Sequence, residues 1–238
     1  MPRGIAGCGR RSMKIVAVVP ALDEGASIAA CLEPLIREAA RVIVVDGGSR
    51  DDTPARAAAC GASVLAAPRG RASQMNAGAH HAHDADALVF VHADTLLPTG
   101  WRVAVERALD SGARWGRFDV RLDSARPLLR VVESAMNARS RLTGICTGDQ
   151  AIFVRRDAWR EAGGYPSIEL MEDIELSRRL GRLAGRPACL GCRAVVSARR
   201  WERDGVLRTI ALMWLLRAMY FFGASPRALR NVYYARRV

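Results

Sequence analysis

The chain has 238 residues, half of them hydrophobic and a quarter charged, which excludes disorder and suits one large core better than two. Its formal net charge is +12, yet residues 1–100 balance ten basic against ten acidic side chains, so the excess lies in the remainder. From Cys189 onward ten Arg face only Glu202 and Asp204, which favours contact with phosphate or an anionic surface over a purely neutral environment.

Residues 1–13 are Gly- and Arg-rich, lack the apolar run of a signal peptide and read as a frayed tail. Residues 14–20 (KIVAVVP) form a β-branched run expected as a buried strand, and residues 26–39 carry apolar side chains at helical spacing. A second strand is expected at 41–46 (RVIVVD), a capped helix at 51–60, a third strand at 62–66, a helix at 71–83 and a fourth strand at 87–92 (ALVFVH). Four βα alternations with continuously apolar strands predict a parallel sheet with helices on both faces. The second half is less regular: helices are expected at 101–110, 128–142 and 171–183, strands at 114–122, 150–155 and 187–196, and an apolar helix at 205–222.

Chemistry-bearing residues cluster just after the strand ends, the edge at which open α/β sheets bind ligands. PALDE (Pro20–Glu24) follows the first strand, and VVDGGSRDDT, with Asp46 and Ser49, follows the second. GRASQMNAGAHHA places Arg71 and Asn76 on a helix expected to face the same rim. In VFVHADTLLP, His92 and Asp94 lie two residues apart, so both can share one side of an extended segment. Carboxylate oxygen suits Mg²⁺ or Mn²⁺, and the imidazole tilts the choice toward Mn²⁺. GGYPSIELMEDIEL brings Glu172 and Asp173 to a helix start, where the dipole favours anions.

In this order PALDE, VVDGGS, HAD and MEDIEL resemble the motifs of family 2 glycosyltransferases, over roughly residues 14–183. Three positions depart from the family pattern: Asp23 stands for Asn, Gly47 for a second Asp, and His92 for the first Asp of the metal motif. The His-Ala-Asp-Thr sequence resembles that of a small bacterial subgroup. The resemblance implies a single GT-A-like, Rossmann-like α/β domain over residues 14–204, with a nucleotide half at 14–98 and an acceptor half at 99–204, followed by a basic, apolar helical segment at 205–238. It implies a metal-dependent, inverting enzyme that moves a sugar from a nucleotide-diphosphate sugar to a hydroxyl acceptor, lipid-linked acceptors included. Pro20, Ala21, Glu24, Asp46, Ser49, Arg71, Asn76, Ala93 and Glu172 would line the donor site. Asp94 and His92 would hold Mn²⁺ or Mg²⁺, Asp173 would be the base, and Arg71, Arg199 or Arg200 would steady the departing diphosphate.

The apolar run at 206–222 carries Arg208 and Arg217 nine residues apart, so they point to opposite faces of a helix, and it is short for a membrane span. A buried or dimer-forming helix and an interfacial helix on an anionic membrane are the leading readings, ahead of a true span, and they place the protein in the cytoplasm or peripherally on the inner face of the plasma membrane. The six cysteines are scattered, and the Cys189–Cys192 pair has no second pair or His cluster to complete a zinc site. A sugar-phosphate nucleotidyltransferase would place a Gly-rich basic loop where PALDE stands, and a dinucleotide oxidoreductase would show GxGxxG there. A nucleic-acid-binding protein, the alternative raised by the charge, lacks a recognisable module, so nucleic acid is not expected as a partner.

Overall fold

The computed structural model describes residues 12–234, so the tail expected at residues 1–13 falls almost wholly outside the described residues. In chain order the elements are β1 (Ile15–Ala21), α1 (Ile28–Glu38), β2 (Arg41–Asp46), α2 (Thr53–Ala59), β3 (Ser63–Ala66), α3 (Arg71–His81), β4 (Ala87–Phe90) and β5 (Thr95–Leu96). There follow α4 (Trp101–Asp110), β6 (Trp115–Asp123), α5 (Pro127–Thr143), a 3₁₀ turn (Gly148–Gln150), β7 (Ile152–Arg155), α6 (Arg156–Glu161), α7 (Glu172–Ala184), β8 (Ala188–Ser197), α8 (Arg199–Asp204), α9 (Val206–Phe221) and α10 (Pro226–Tyr234).

One eight-stranded sheet, in the order β3-β2-β1-β4-β7-β6-β8-β5, runs through both halves of the chain. β3, β2, β1 and β4 are mutually parallel, as are β6 and β8, whereas β7 and the two-residue β5 run against their neighbours. β1 ends level with β2, because Ala21 pairs with Asp46.

Side chains alternate across the sheet. Ile15, Ala17 and Val19 join Leu32 and Leu35 of α1 and Trp101, Val105 and Leu109 of α4 on one face. Val16 and Val18 join Met75 and Ala79 of α3 and Leu176 and Leu180 of α7 on the other. Each fully buried aliphatic side chain contributes about 1.5–3 kcal/mol, so the two faces together drive folding.

The α5 helix solves a local problem of β6. β7 pairs with β6 only as far as Arg117, which leaves the backbone beyond it without a strand on that side. Asn137 of α5 accepts from Val120 N at 2.9 Å and donates to Val120 O at 3.1 Å, and Glu133 accepts from Leu122 N. The helix thus supplies the polar partners that buried backbone requires. Arg117, fully buried, pairs with Asp119, which also accepts from Arg141 at 2.6 Å.

Several elements differ from expectation. β4 ends at Phe90, which leaves His92 and Asp94 in the turn before β5. The short α6 and α8 have six residues each, too few to show a period, and the helical segment expected at 205–238 is divided into α9 and α10. Cys189 and Cys192 flank an irregularity in β8 where the register jumps from Leu190 to Arg193, and both thiols are free. α9 and α10 close over the start of α7, where Leu212, Leu216, Leu229 and Tyr233 pack on Met171 and Ile174. No helix among the described residues is long and apolar enough to cross a membrane.

Candidate functional site

The two loops at the ends of β1 and β2 are tied to each other before they can bind anything else. Asp46 accepts from Gly48 N at 2.9 Å, Ser49 N at 3.1 Å and Ser49 Oγ at 2.5 Å. Ser49 Oγ in turn accepts from Asp23 N at 2.9 Å, and Asp23 Oδ1 accepts from Arg50 N at 2.7 Å. Asp23 sits at φ +54°, a left-handed conformation that Asp and Asn adopt more readily than other non-glycine residues.

α3 lies directly beneath these loops. Gln74, buried, donates from Nε2 to both Ala21 O and Val45 O at 2.8 Å, bridging the ends of β1 and β2. A Cβ at Gly47 would come within 3.0 Å of this carboxamide, so the space a second Asp would need is taken by Gln74. Arg71, one turn earlier, points into a cavity of about 650 Å³. Burial works against its charge, but Glu172, Tyr233, Asp149 and Asp173 outweigh it and hold the guanidinium above its ordinary pKa. Asn76 does not join it, which corrects its expected place at the rim. Its Nδ2 donates to Tyr165 O at 2.8 Å and its Oδ1 accepts from Tyr165 N at 2.9 Å, so the whole carboxamide anchors the Gly163–Pro166 turn.

Acidic groups meet where the turn after β4 faces the 3₁₀ turn. Asp94, Glu24 and Asp149 all line the cavity, with His92 Nδ1 3.4 Å from Asp149 Oδ1. Gly148 packs on the His92 ring, where an added Cβ would lie 2.4 Å from Nε2. Burial, with the charges of Asp149 and Glu24, pushes the Asp94 carboxyl up, against the pull of His92 and Arg199. Arg199 reaches across from α8 to Glu24 Oε2 at 3.0 Å and lies 4.0 Å from Asp94 Oδ2.

At the start of α7, Met171 is held at φ +71° and turns Glu172 and Asp173 inward. Asp173 Oδ2 accepts from Gly148 N at 2.8 Å, which links the two acidic loops. Burial and the neighbouring Asp173 charge push the Glu172 carboxyl up to about 7, against Arg71. Among the described residues the non-glycine positions with positive φ are Asp23, Ala151 and Met171, one in each of three segments around this cavity. Such strain concentrates at functional sites.

The cavity therefore gathers the residues expected at the site except Asp46 and Ser49, which knot the adjacent β2 loop, Asn76, and Arg199, which reaches the site only through Glu24 and Asp94. Sequence reasoning missed Asp149, Gln74 and Arg139. Asp149 stands directly before β7 in a Thr147–Gln150 capping box, and that box was the available signal. Arg139 and Arg217 enter from α5 and α9, and no spacing within either helix reveals that they meet.

A cation bound with a diphosphate takes most of its ligands from phosphate and water and needs only one or two protein carboxylates. Among the described residues no group of three or more His, Cys, Asp or Glu forms a metal cage. Asp94 with His92 beside it, under the added negative charge of Asp149 and Glu24, has the donor set that such a shared cation requires.

The fold recurs in solved structures of glucosyl-3-phosphoglycerate synthase from Mycobacterium tuberculosis. One, in complex with Mn²⁺, UDP-glucose and phosphoglyceric acid, matches with a TM-score of 0.56 at 19% identity, covering 77% of this chain and 71% of that one. A second, in complex with Mg²⁺ and UDP, matches with a TM-score of 0.55 at 20% identity, covering 77% and 70%. No curated protein matches the chain. The sequence model of glycosyl transferase family 2 matches residues 16–159, more than half of the chain. The chain belongs to glycosyl transferase family 2 and is a nucleotide-sugar-dependent glycosyltransferase.

Proposed function

We propose that the cavity is the active site of an inverting transferase, with the donor at the β1–β2 edge and the acceptor beside Asp173. The observation that carries this reading is the meeting of Glu24, Asp94, Asp149, Glu172 and Asp173 with Arg71 and Arg200 around one cavity. The Asp46–Ser49 knot and the Gln74 bridge keep the base-binding edge rigid. Asp94 and His92 would hold Mn²⁺ or Mg²⁺, which when bound offsets negative charge on the departing diphosphate. Arg71, Arg199 and Arg200 add positive charge on the same side, where it is worth most in a water-poor site. Asp173, fixed by the Gly148 N–H, takes the proton of the attacking hydroxyl, and a single displacement inverts the anomeric carbon. General-base help of this kind is worth about 10²–10⁴ in rate. The related synthase crystallised with Mn²⁺ and UDP-glucose supports the choice of donor class and metal.

A thermal-shift panel of UDP-, GDP-, dTDP- and ADP-sugars with Mn²⁺ or Mg²⁺ tests the donor. Asp173→Asn should abolish turnover and leave donor binding nearly intact. Asp94→Ala should weaken binding only when the metal is present. Loss of binding in Asp173→Asn, or metal-independent binding in both proteins, would overturn these roles.

We also propose that α9 docks on an anionic membrane surface. Leu207, Ala211, Trp214, Leu215, Ala218 and Phe221 form one exposed, apolar face of this helix, continued by Phe222. Arg208 and Arg227 are exposed alongside it, which favours anionic headgroups over a second copy of the same positive surface.

A further inference from the structure

The cavity holds two guanidinium groups that the donor does not need. Arg139 comes from α5 and Arg217 from α9, so neither belongs to the sheet edge that carries Arg71, Asp94 and Arg199. Arg139 Nε and Nη2 are buried with no hydrogen-bond partner among the described residues, and Nη1 makes a single long bond of 3.4 Å to Ile145 O. Burial lowers the proton affinity of both groups, and the charge of Arg217 pushes Arg139 further in the same direction, to about 10. A buried guanidinium with unpartnered nitrogens, set beside a second like charge, is costly unless an anion joins them.

The two helices share a second feature. On α5, Leu128, Val132 and Met136 line the cavity at helical spacing and lead to Arg139. On α9, Ile210, Met213 and Trp214 lead in the same way to Arg217. Each helix therefore presents an apolar stripe that ends in an arginine. Leu128 is 42% exposed and Trp214 64% exposed, so both stripes reach the surface beside the apolar face of α9. A cavity wall of this kind sets two guanidinium groups beside a continuous apolar surface.

We propose that this wall is the acceptor site, and that the acceptor joins an apolar chain to a phosphate or carboxylate, with the anion on Arg139 and Arg217 and the chain between α5 and α9. The proposal rests on the glycosyltransferase reading of the cavity and names the acceptor class that reading leaves open. With the anion held there, an attacking hydroxyl carried on the same acceptor would lie on the side of Asp173, whose charge both arginines feel.

The test is binding to the full chain without donor or metal, so its outcome is independent of turnover. Dodecyl phosphate is titrated below its micelle concentration by calorimetry, beside inorganic phosphate and the neutral dodecyl maltoside, with hexyl, octyl and decyl phosphate as a length series. A second arm presents hexadecyl phosphate in phosphatidylcholine vesicles and measures co-sedimentation. Affinity should rise with chain length, by up to about fourfold per buried methylene. Arg139→Gln and Arg217→Gln should each weaken dodecyl phosphate by about tenfold or more and leave dodecyl maltoside unchanged. Because Arg139→Gln removes a buried guanidinium with unpartnered nitrogens, its melting temperature without ligand should hold or rise, and the melting temperature of Arg217→Gln is measured beside it, so a lost signal is not a lost fold. Saturable binding of the free alkyl phosphate identifies a soluble amphiphile as sufficient, and binding confined to vesicles assigns the chain to a bilayer only where Arg139→Gln and Arg217→Gln each weaken it, because docking through the exposed face of α9 would survive both variants. Alkyl phosphates that bind no better than inorganic phosphate, or equally well to both variants, would overturn the proposal even if the donor panel succeeds.

Discussion

Burial and the adjacent Asp173 charge push the Glu172 carboxyl up to about 7, so folding favours its protonated form. Its contribution to stability is present below the unfolded value of 4.5 and is lost as pH rises through about 7. The loss is on the order of 3 kcal/mol. Glu172→Gln should therefore flatten the fall in unfolding free energy between mildly acidic and mildly alkaline pH, measured by denaturant titration against the unmodified protein; an equal slope in both would place the titration elsewhere. Asp23 makes a different argument at the same scale. It combines a left-handed backbone with acceptance of the Arg50 N–H. Asp23→Ala should cost about 1–3 kcal/mol, the sum of strain and a lost hydrogen bond, whereas Asp23→Asn, the residue the family pattern carries here, should be nearly neutral in the same measurement. These motif residues stood out in the sequence because the chemistry of each is local: an acidic or amide side chain one or two residues past a strand end. Gln74 did not stand out, because a Gln in the middle of a helix has no local signature, and its two acceptors lie 53 and 29 residues away.

At the scale of elements, α9 shows why composition alone misleads. Its apolar residues surround the helix, so no single stripe is visible in the sequence. Packing separates them: Thr209, Leu212 and Leu216 are buried, while Leu207, Trp214 and Phe221 stay exposed. If the exposed face meets a membrane, the protein should float with vesicles containing anionic lipid and remain at the bottom with phosphatidylcholine alone. Trp214→Glu with Phe221→Glu should abolish flotation without lowering the melting temperature, because neither side chain is in the core. Flotation unchanged by the double variant, or a shift from dimer to monomer in its solution mass, would transfer this face to another role. The expected strands and long helices at β1, α1, β2, α3, α4, α5 and α7 all lie within a few residues of the observed ones. The shift of His92 out of β4 has a simple cause: the strand stops pairing with β1 and β7 at Phe90.

For the whole molecule, charge is arranged rather than merely summed. The sheet edge contributes most of the carboxylates, and the later helices contribute Arg139, Arg200 and Arg217 to the same cavity. A diphosphate donor beside Arg71 and Arg200 and an anionic acceptor on Arg139 and Arg217 should therefore both bind less tightly as salt rises from about 0.05 M to about 0.5 M, with each KM increasing several-fold and kcat little changed. A salt-independent KM would mean that these arginines do not face the donor or acceptor. The α/β alternation, the faces of the core strands and the acidic loops at their ends are legible in the residues alone, because strand period, helix period and loop chemistry act over a few residues. That Asp149 faces His92, that Asn76 turns away to Tyr165, and that arginines from α5 and α9 share one cavity emerge from the folded arrangement. Those outcomes depend on how separate elements pack, and packing sums contacts between residues that no short stretch of sequence contains.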